Sequence, residues 1–181
     1  MKRTILYLLV VVPWTGCVND VHEVERLNRQ SIEVEVAHNI MSYYSRDGKV
    51  NARLTAPLLY RYLNKQPYVV LNKGLRVEFF NDSLKVTSVL TAKKGAYFST
   101  TSKMEVSDSV VVVNNKGERL ECQELEWDAG KQQFTTDRPV KIITATETIF
   151  GDGLRANQDF TWHEIIHPHN SLIRMSSGKL P

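Results

Sequence analysis

The sequence has little cysteine, no clustered charge and no long apolar run. Only two cysteines occur among 181 residues, Cys17 and Cys122. The 23 basic residues nearly balance the 20 acidic ones, and no group of lysines and arginines stands out. A nucleic-acid-binding domain needs such a group, so that class of partner is excluded. The longest apolar run, Ile5 to Val12, is much shorter than the roughly 20 residues that span a bilayer.

The first 17 residues have the order of a secretory signal: a basic start, the apolar run and a small-residue end at Thr15-Gly16-Cys17. This order resembles the bacterial lipoprotein signal, in which cleavage leaves Cys17 as the first residue and acyl chains are attached to it. Trp14 departs from the usual leucine three residues before the cysteine, and the alternative is an uncleaved signal anchor. With Cys17 lipidated, Cys122 is the one remaining thiol, which we interpret as a small buried apolar residue.

The rest of the chain divides by composition. Residues 18–36 are polar and predict a linker with some helical tendency, and residues 177–181 are a short tail. Between them, residues 37–176 form the predicted domain. Val18 rather than aspartate follows Cys17, so the aspartate signal that retains lipoproteins in the inner membrane of some bacteria is absent. Because sorting rules differ between phyla, the expected location is still the periplasmic face of the inner membrane, with the outer membrane as the alternative.

Helical spacing is also missing after residue 35, and apolar residues alternate with polar ones instead. Turn signals such as Asp47-Gly48 and Asn115-Lys116-Gly117 arrive about every 8–12 residues, which indicates an all-β sandwich or barrel. We expect the last strand to alternate from Phe160 through Glu164, followed by a turn at Pro168-His169-Asn170-Ser171.

One β unit occurs twice in the sequence, as an internal repeat. Leu90-Thr-Ala92 aligns with Leu120-Glu-Cys122 at an offset of 30 residues, and looser copies begin at Leu54 and Phe150. At that offset Tyr97 aligns with Trp127, Met104 with Phe134, Val110 with Val140 and Val112 with Ile142. Such a period is typical of stacked units that cannot bury an apolar face singly. The pattern predicts a repeat body with a continuous apolar inner strip.

Gly151 and Gly153 are separated by one residue in a predicted strand, which indicates a bulge or a closely approaching backbone. A phosphate-binding loop is disfavoured, because no helix pattern follows them and the Lys-Ser/Thr pair is missing.

The sequence offers little for catalysis. His163, His167 and His169 could share a strand face and bind zinc, but Pro168 interrupts the strand and no fourth ligand stands out. The aspartates do not pair in a way that suggests acid–base chemistry, and a nucleophile elbow is absent. We therefore predict a protein that is not an enzyme, with no metal and no cofactor.

Several short segments, which together cover roughly residues 38–165, are distinctive. They are Tyr44-Ser-Arg-Asp-Gly-Lys49, Leu54-Thr-Ala-Pro57, Lys73-Gly-Leu-Arg-Val-Glu-Phe-Phe80, Leu90-Thr-Ala92 with Gly95 and Tyr97, Leu120 through Trp127-Asp128, and Ile149-Phe-Gly-Asp-Gly-Leu154 with Asn157 and Phe160. In this order they resemble the LptC family of lipopolysaccharide-export proteins, in its lipoprotein-anchored, Bacteroidetes-type form. Better-known relatives are anchored by one transmembrane helix, and here Cys17 would replace it.

The resemblance implies a twisted, partly open β-jelly roll that accepts lipopolysaccharide from the permease subunits of an inner-membrane ABC transporter. It would pass the lipid to a periplasmic bridge protein similar to LptA. Family analogy places the transporter at the N-terminal edge, near Ile40–Leu54, and the bridge at the C-terminal edge, near Phe160–Ile173.

The lipid A acyl chains would then lie in an apolar trough between the sheets. We predict that twelve residues line it: Leu90, Tyr97, Val106, Val110, Val112, Leu120, Trp127, Phe134, Val140, Ile142, Leu154 and Phe160. A closed core would show the same alternation. The alternative function is therefore a surface or envelope structural lipoprotein with a sealed β core.

Overall fold

The structure of the protein is a computed structural model that describes residues 34–173. The predicted signal peptide with Cys17, the linker up to residue 33 and the tail at 177–181 lie outside the described residues. Residues 34–36 form the start of the first strand. No helix capable of crossing a bilayer is found in the described part of the chain.

Fourteen strands make up the described part of the chain. In chain order they are β1 (Val34–Arg46), β2 (Lys49–Tyr62), β3 (Tyr68–Leu71), β4 (Leu75–Phe80), β5 (Val86–Ala92), β6 (Lys94–Phe98), β7 (Lys103–Asn114), β8 (Arg119–Asp128), β9 (Gln133–Thr136), β10 (Val140–Ile143), β11 (Glu147–Gly151), β12 (Gly153–Asn157), β13 (His163–Ile166) and β14 (His169–Ile173).

All the strands join one antiparallel sheet, and the long strands change neighbours halfway along their length. The first half of β2 pairs with β4 and its last residues pair with β3. Likewise, β7 pairs with β6 over its first half and with β5 over its second. The sheet is therefore folded over along a crease that runs across the strands, and its two halves face each other as two leaves.

Leaf 1 contains β4, β5, β10, β11 and β14, and leaf 2 contains β3, β6, β9, β12 and β13. The strands β1, β2, β7 and β8 run through both leaves. The prediction of an all-β fold with the form of a twisted jelly roll is confirmed.

The crease depends on backbone conformations that a flat sheet does not use. Asp108 and Ser109, in the middle of β7, have φ angles of 65° and 57°, and the pairing of β7 with β8 shifts register there. The Lys93 N–H donates to the Asp108 carbonyl at 3.0 Å, which ties the β5–β6 connection to this bulge. A bulge bends a strand and strengthens its twist, so the fold-over follows from these residues.

Alternation places apolar side chains between the leaves and charged side chains outside. Twenty-three apolar residues from Ala52 to Phe160 form one buried cluster. On the outer faces, Lys103 pairs with Glu126 at 2.8 Å and Arg119 with Glu121 at 2.7 Å. Surface pairs of this kind add little stability, so burial of the inner faces holds the leaves together.

The C-terminal boundaries differ from those we predicted. The strand β13 begins at His163 rather than Phe160, and β14 begins at His169, where a turn was expected. The side chain of Asp159 accepts from the Thr161 N–H, and that of Asn157 accepts from the Trp162 N–H. Such local bonds favour a turn over a strand, and the alternation of Phe160 and Trp162 could not reveal them.

Candidate functional site

The inner faces of the two leaves carry one apolar row each, running across the strands. The leaf 1 row follows the strand pairings through Leu54, Val77, Leu90, Val112, Leu120, Ile142 and Ile149. The leaf 2 row follows them through Val69, Tyr97, Met104, Trp127, Phe134 and Ala156. Strands lie about 4.8 Å apart, so seven strands carry an apolar strip of about 29 Å.

These rows contain seven of the twelve predicted trough residues. Leu90, Val112, Leu120 and Ile142 lie in the leaf 1 row, and Tyr97, Trp127 and Phe134 lie in the leaf 2 row. Val110 and Val140 face Cys122 in the neighbouring row of leaf 1. Val106 and Leu154 lie on leaf 2, and Phe160 lies in the turn before β13.

The burial of these residues is nearly complete. Eleven of the twelve are no more than 8% exposed, and Tyr97 is half-buried. The prediction missed other members of the rows, including Leu54, Val77 and Met104. Each of these three alternates with polar neighbours, and the 30-residue offset also marks Met104 as the equivalent of Phe134, so the same signal would have found them.

Aromatic side chains bridge the leaves at the end far from the crease. Phe79 of leaf 1 lies 5.1 Å from Trp127 and 5.3 Å from Phe134 of leaf 2, both in edge contacts. Phe134 lies 5.8 Å from Phe160, and Tyr44 of β1 lies 5.5 Å from Trp127. The distances between these ring centroids are within the range of favourable aromatic pairs. The cluster closes the space between the leaves on this side.

An apolar cavity of about 210 Å³ lies beside the aromatic cluster, towards β1. Its lining residues come from both leaves and are Ser42, Tyr43, Tyr44, Ala52, Leu54, Val77, Tyr97, Met104 and Trp127. Tyr97 and Trp127 were among the predicted trough residues. The indole N–H of Trp127 is buried and has no hydrogen-bond partner among the described residues. The residues that line the cavity are mainly apolar, and Trp127 is the one that carries this unpaired donor.

Gly151 and Gly153 allow β13 to approach the crease closely. A Cβ on Gly151 would overlap the Ile165 side chain and lie 2.9 Å from the Ile166 carbonyl oxygen. A Cβ on Gly153 would lie 2.8 Å from the Thr136 carbonyl oxygen. Of the two readings left open for these glycines, the structure shows the closely approaching backbone.

Two C-terminal histidines, His167 and His169, lie near the carboxylate of Asp152. His167 Nδ1 lies 3.6 Å and His169 Nε2 lies 3.4 Å from the carboxylate oxygens of Asp152, and all three side chains are exposed. Across residues 34–173, no group of three or more histidine, cysteine, aspartate or glutamate side chains is placed to hold a metal ion.

Cys122 faces inward, and burial raises the pKa of its thiol to about 12. Thiolate chemistry is therefore suppressed at neutral pH, as expected for a cysteine that fills space among apolar neighbours.

The chain matches a known protein family. A family model described as lipopolysaccharide-assembly, LptC-related, matches residues 4–166 of the chain. A search of curated proteins found no match. The matched residues include both apolar rows, the aromatic cluster and the cavity.

Proposed function

Since the chain belongs to the LptC family of lipopolysaccharide-assembly proteins, we propose that it accepts lipopolysaccharide from an inner-membrane ABC transporter and passes it to a periplasmic bridge protein similar to LptA. Its part in lipopolysaccharide assembly follows from the family, and receipt and transfer are the proposed steps. Neither step makes or breaks a covalent bond, so the proposed role needs no catalytic residue.

The observation that carries this proposal is the pair of apolar rows. They face each other between the leaves and run from the β2 side of the fold to β11 in leaf 1 and to β12 in leaf 2. Acyl chains laid along this axis would contact apolar side chains throughout, while sugars and phosphates would stay outside. Each buried methylene contributes about 0.8 kcal/mol, which is enough to keep a multi-chain lipid out of water.

Both ends of the sheet provide strand edges for partners. Within residues 34–173, β1 pairs only with β2, while β13 pairs only with β12 and β14 only with β11. Exposed apolar side chains accompany these edges, including Met41 at 60% exposure and Leu172 at 64%. A partner that adds a strand to such an edge gains main-chain hydrogen bonds and continues the apolar rows.

We assign the β1 edge to the transporter permeases and the β13–β14 edge to the bridge, by analogy with the family. A photo-crosslinking amino acid at Met41 should capture a permease subunit, and the same amino acid at Leu172 should capture the bridge protein. Exchanged partners would reverse the assignment, and no capture at either site would contradict it.

The proposed anchor is an acylated Cys17, which holds the domain at the periplasmic face of the inner membrane. Two or more acyl chains bind a bilayer far more firmly than one. Labelled palmitate should enter the wild-type protein and not a Cys17→Ala variant. Equal labelling of the two proteins would disprove this anchor.

Lipid binding is tested most directly on β6, where neighbouring aromatic residues lie on opposite faces. Tyr97 lines the cavity, whereas Phe98 stacks on Tyr68 with ring centroids 6.1 Å apart. A photo-crosslinking phenylalanine analogue at position 97 should capture lipopolysaccharide in cells. The same analogue at position 98 is the matched control and should capture much less. Equal capture at the two positions, or none at position 97 in a folded protein, would contradict the proposal.

The near-complete burial of the inner residues favours a second candidate, a structural envelope lipoprotein with a sealed core. In that case the leaves never separate and the aromatic cluster is permanent packing. The Tyr97 experiment distinguishes the two functions, because a sealed core captures no lipid at either position.

A further inference from the structure

The cavity is too small for the lipid that the proposed function requires, and this inference rests on that function. A volume of 210 Å³ equals that of roughly seven liquid water molecules, and a methylene group occupies about the same volume as a water molecule. Acyl chains that fill half of a bilayer core about 30 Å thick have about a dozen carbons each. The cavity therefore holds only part of one chain, and the leaves must separate for lipid to occupy the rows.

Beside the aromatic cluster, few hydrogen bonds hold the leaves together opposite the crease. We call this line of contact the seam. Among the described residues, two hydrogen bonds cross it: Ser88 Oγ in leaf 1 donates to the Gln158 carbonyl, and the Arg46 guanidinium donates to the Gly130 carbonyl. The Arg46 side chain is half-exposed, whereas Ser88 and Gln158 are buried. The Ser88 bond is thus the shielded polar link between the leaves.

The turn that receives this bond, residues 157–162, is braced from within, and we call it the clasp turn. Asn157 Nδ2 donates to Thr161 Oγ1 at 2.6 Å, and the Thr161 hydroxyl donates to Asp159 Oδ1 at 2.9 Å. The Trp162 N–H donates to Asn157 Oδ1 at 2.9 Å. Because these bonds lie within the turn, it can move away from leaf 1 without losing its own shape.

The seam also contains unusual backbone and polar features. Phe160, whose ring enters the aromatic cluster, has a φ angle of 57°, and Gln132 beside the turn has one of 54°. Residues other than glycine rarely adopt such a positive φ angle. Asn51 Oδ1 and Gln158 Oε1 are buried without a partner among the described residues, and both residues border a polar cavity of about 330 Å³ at the seam.

From these observations we infer that the clasp turn is a latch: it closes the seam in the lipid-free protein and moves away from leaf 1 when acyl chains displace Phe160 from the aromatic cluster. The Ser88 hydrogen bond sets how often the latch opens. The cavity beside Trp127 is the part of the binding space that stays formed when the latch is closed.

The test compares two hydroxyl deletions on adjacent residues. Ser88→Ala removes the bond that crosses the seam. Thr87→Val removes a bond from Thr87 Oγ1 to the Phe79 carbonyl, 3.3 Å long, that lies within leaf 1. Trp127 reports on opening, because it is 4% exposed and contacts Phe79 across the leaves. Replacing Trp14 and Trp162 with phenylalanine leaves Trp127 as the only one of the three tryptophans.

We expect acrylamide to quench Trp127 about fivefold faster in the lipid-free Ser88→Ala variant, the factor that corresponds to one lost hydrogen bond. The Thr87→Val variant should match the wild type. Ser88→Cys, with a weaker donor of similar size, should lie between them and serves as a second variant if Ser88→Ala folds poorly. The rate at which purified lipopolysaccharide crosslinks to position 97 should rise in the same order.

Unchanged quenching in both serine variants, or an equal rise in Thr87→Val, would overturn the latch. Faster quenching without faster lipid loading would overturn its role in lipid admission. If the analogue at position 97, in a chain that is otherwise wild type, captures no lipopolysaccharide, the proposed function is overturned. The quenching measurement uses no lipid and would still decide whether the clasp turn opens.

Discussion

Phe134 provides the strongest test of how the leaves pack. Its side chain is 0% exposed and its ring lies between Phe79 and Phe160, so the Phe134→Ala variant loses a buried ring and two aromatic contacts. Substitutions of this kind lower the free energy of unfolding by about 3–5 kcal/mol. Phe98 is the control, because it is half-buried and stacks on the outer face of leaf 2. Phe98→Ala should lower the free energy of unfolding by about 1 kcal/mol.

Urea unfolding followed by circular dichroism measures both losses. With a denaturant dependence of about 2 kcal/mol per molar, typical of small domains, Phe134→Ala should move the midpoint down by about 2 M and Phe98→Ala by about 0.5 M. If Phe134→Ala does not fold, Phe134→Leu should still shift the midpoint by more than the control does. Equal shifts in the two alanine variants would refute the reasoning, because they would show that Phe134 lines open space rather than a packed seam.

Three further predictions follow from single residues. Gly151→Ala should destabilise the fold by about 1–3 kcal/mol and increase hydrogen exchange in β13. Gly130→Ala is the control and should do neither, because its Cβ would contact only Asp128 Oδ1, at 3.2 Å. Equal effects of the two substitutions would contradict the close approach at Gly151. Cys122 should resist iodoacetamide at pH 8 in the folded protein, since with a pKa of about 12 only about one thiol in ten thousand is ionised, and peptide mapping should find it labelled only after unfolding. The Arg119 hydrogen bond, opposed by burial, holds the pKa of Glu121 below its ordinary value of 4.5, so this pair stabilises the fold above about pH 4.5 and the stabilisation is lost as the pH falls further. The Glu121→Gln variant should therefore lose less stability than the wild type between pH 5 and pH 3. An unchanged slope of stability against pH would show that the pair contributes nothing.

The repeat in the sequence predicted the construction of the fold. Each 30-residue unit corresponds to two stretches of β-structure, one that crosses the crease from leaf 1 to leaf 2 and one that returns. Tyr97 and Trp127, which align at that offset, lie two strands apart in the leaf 2 row, with Met104 between them. The apolar strip was visible in the sequence because inward apolar residues recur at every second position, and many of them, such as Trp127 between Glu126 and Asp128, have polar neighbours.

The ends of the strands were less predictable, because alternation continues past the place where the leaves meet. Leu84 and Val86 share the parity of Leu90 and Ala92, yet Leu84 is 64% exposed and Val86 is 39% exposed. Leu84 lies in the turn before β5 with a φ angle of 57°. The Asn81 side chain, which accepts from the Ser83 and Lys85 N–H groups, fixes that turn, and such bonds leave no periodic trace in the sequence.

The distinction between a sealed core and a lipid trough could not come from alternation at all. The same apolar residues pack against each other when the leaves are closed and would contact acyl chains when the leaves are apart, so their pattern is identical in the two states. What differs is the strength of the links across the seam, which depends on residues that interrupt the pattern. Ser88 is a polar residue at an inward position of β5, 1% exposed, and its partner Gln158 lies in a turn. In a permanently sealed core, an apolar residue at position 88 would stabilise the interior more than a serine whose one partner among the described residues is a turn carbonyl. A serine there fits the seam opening that we propose.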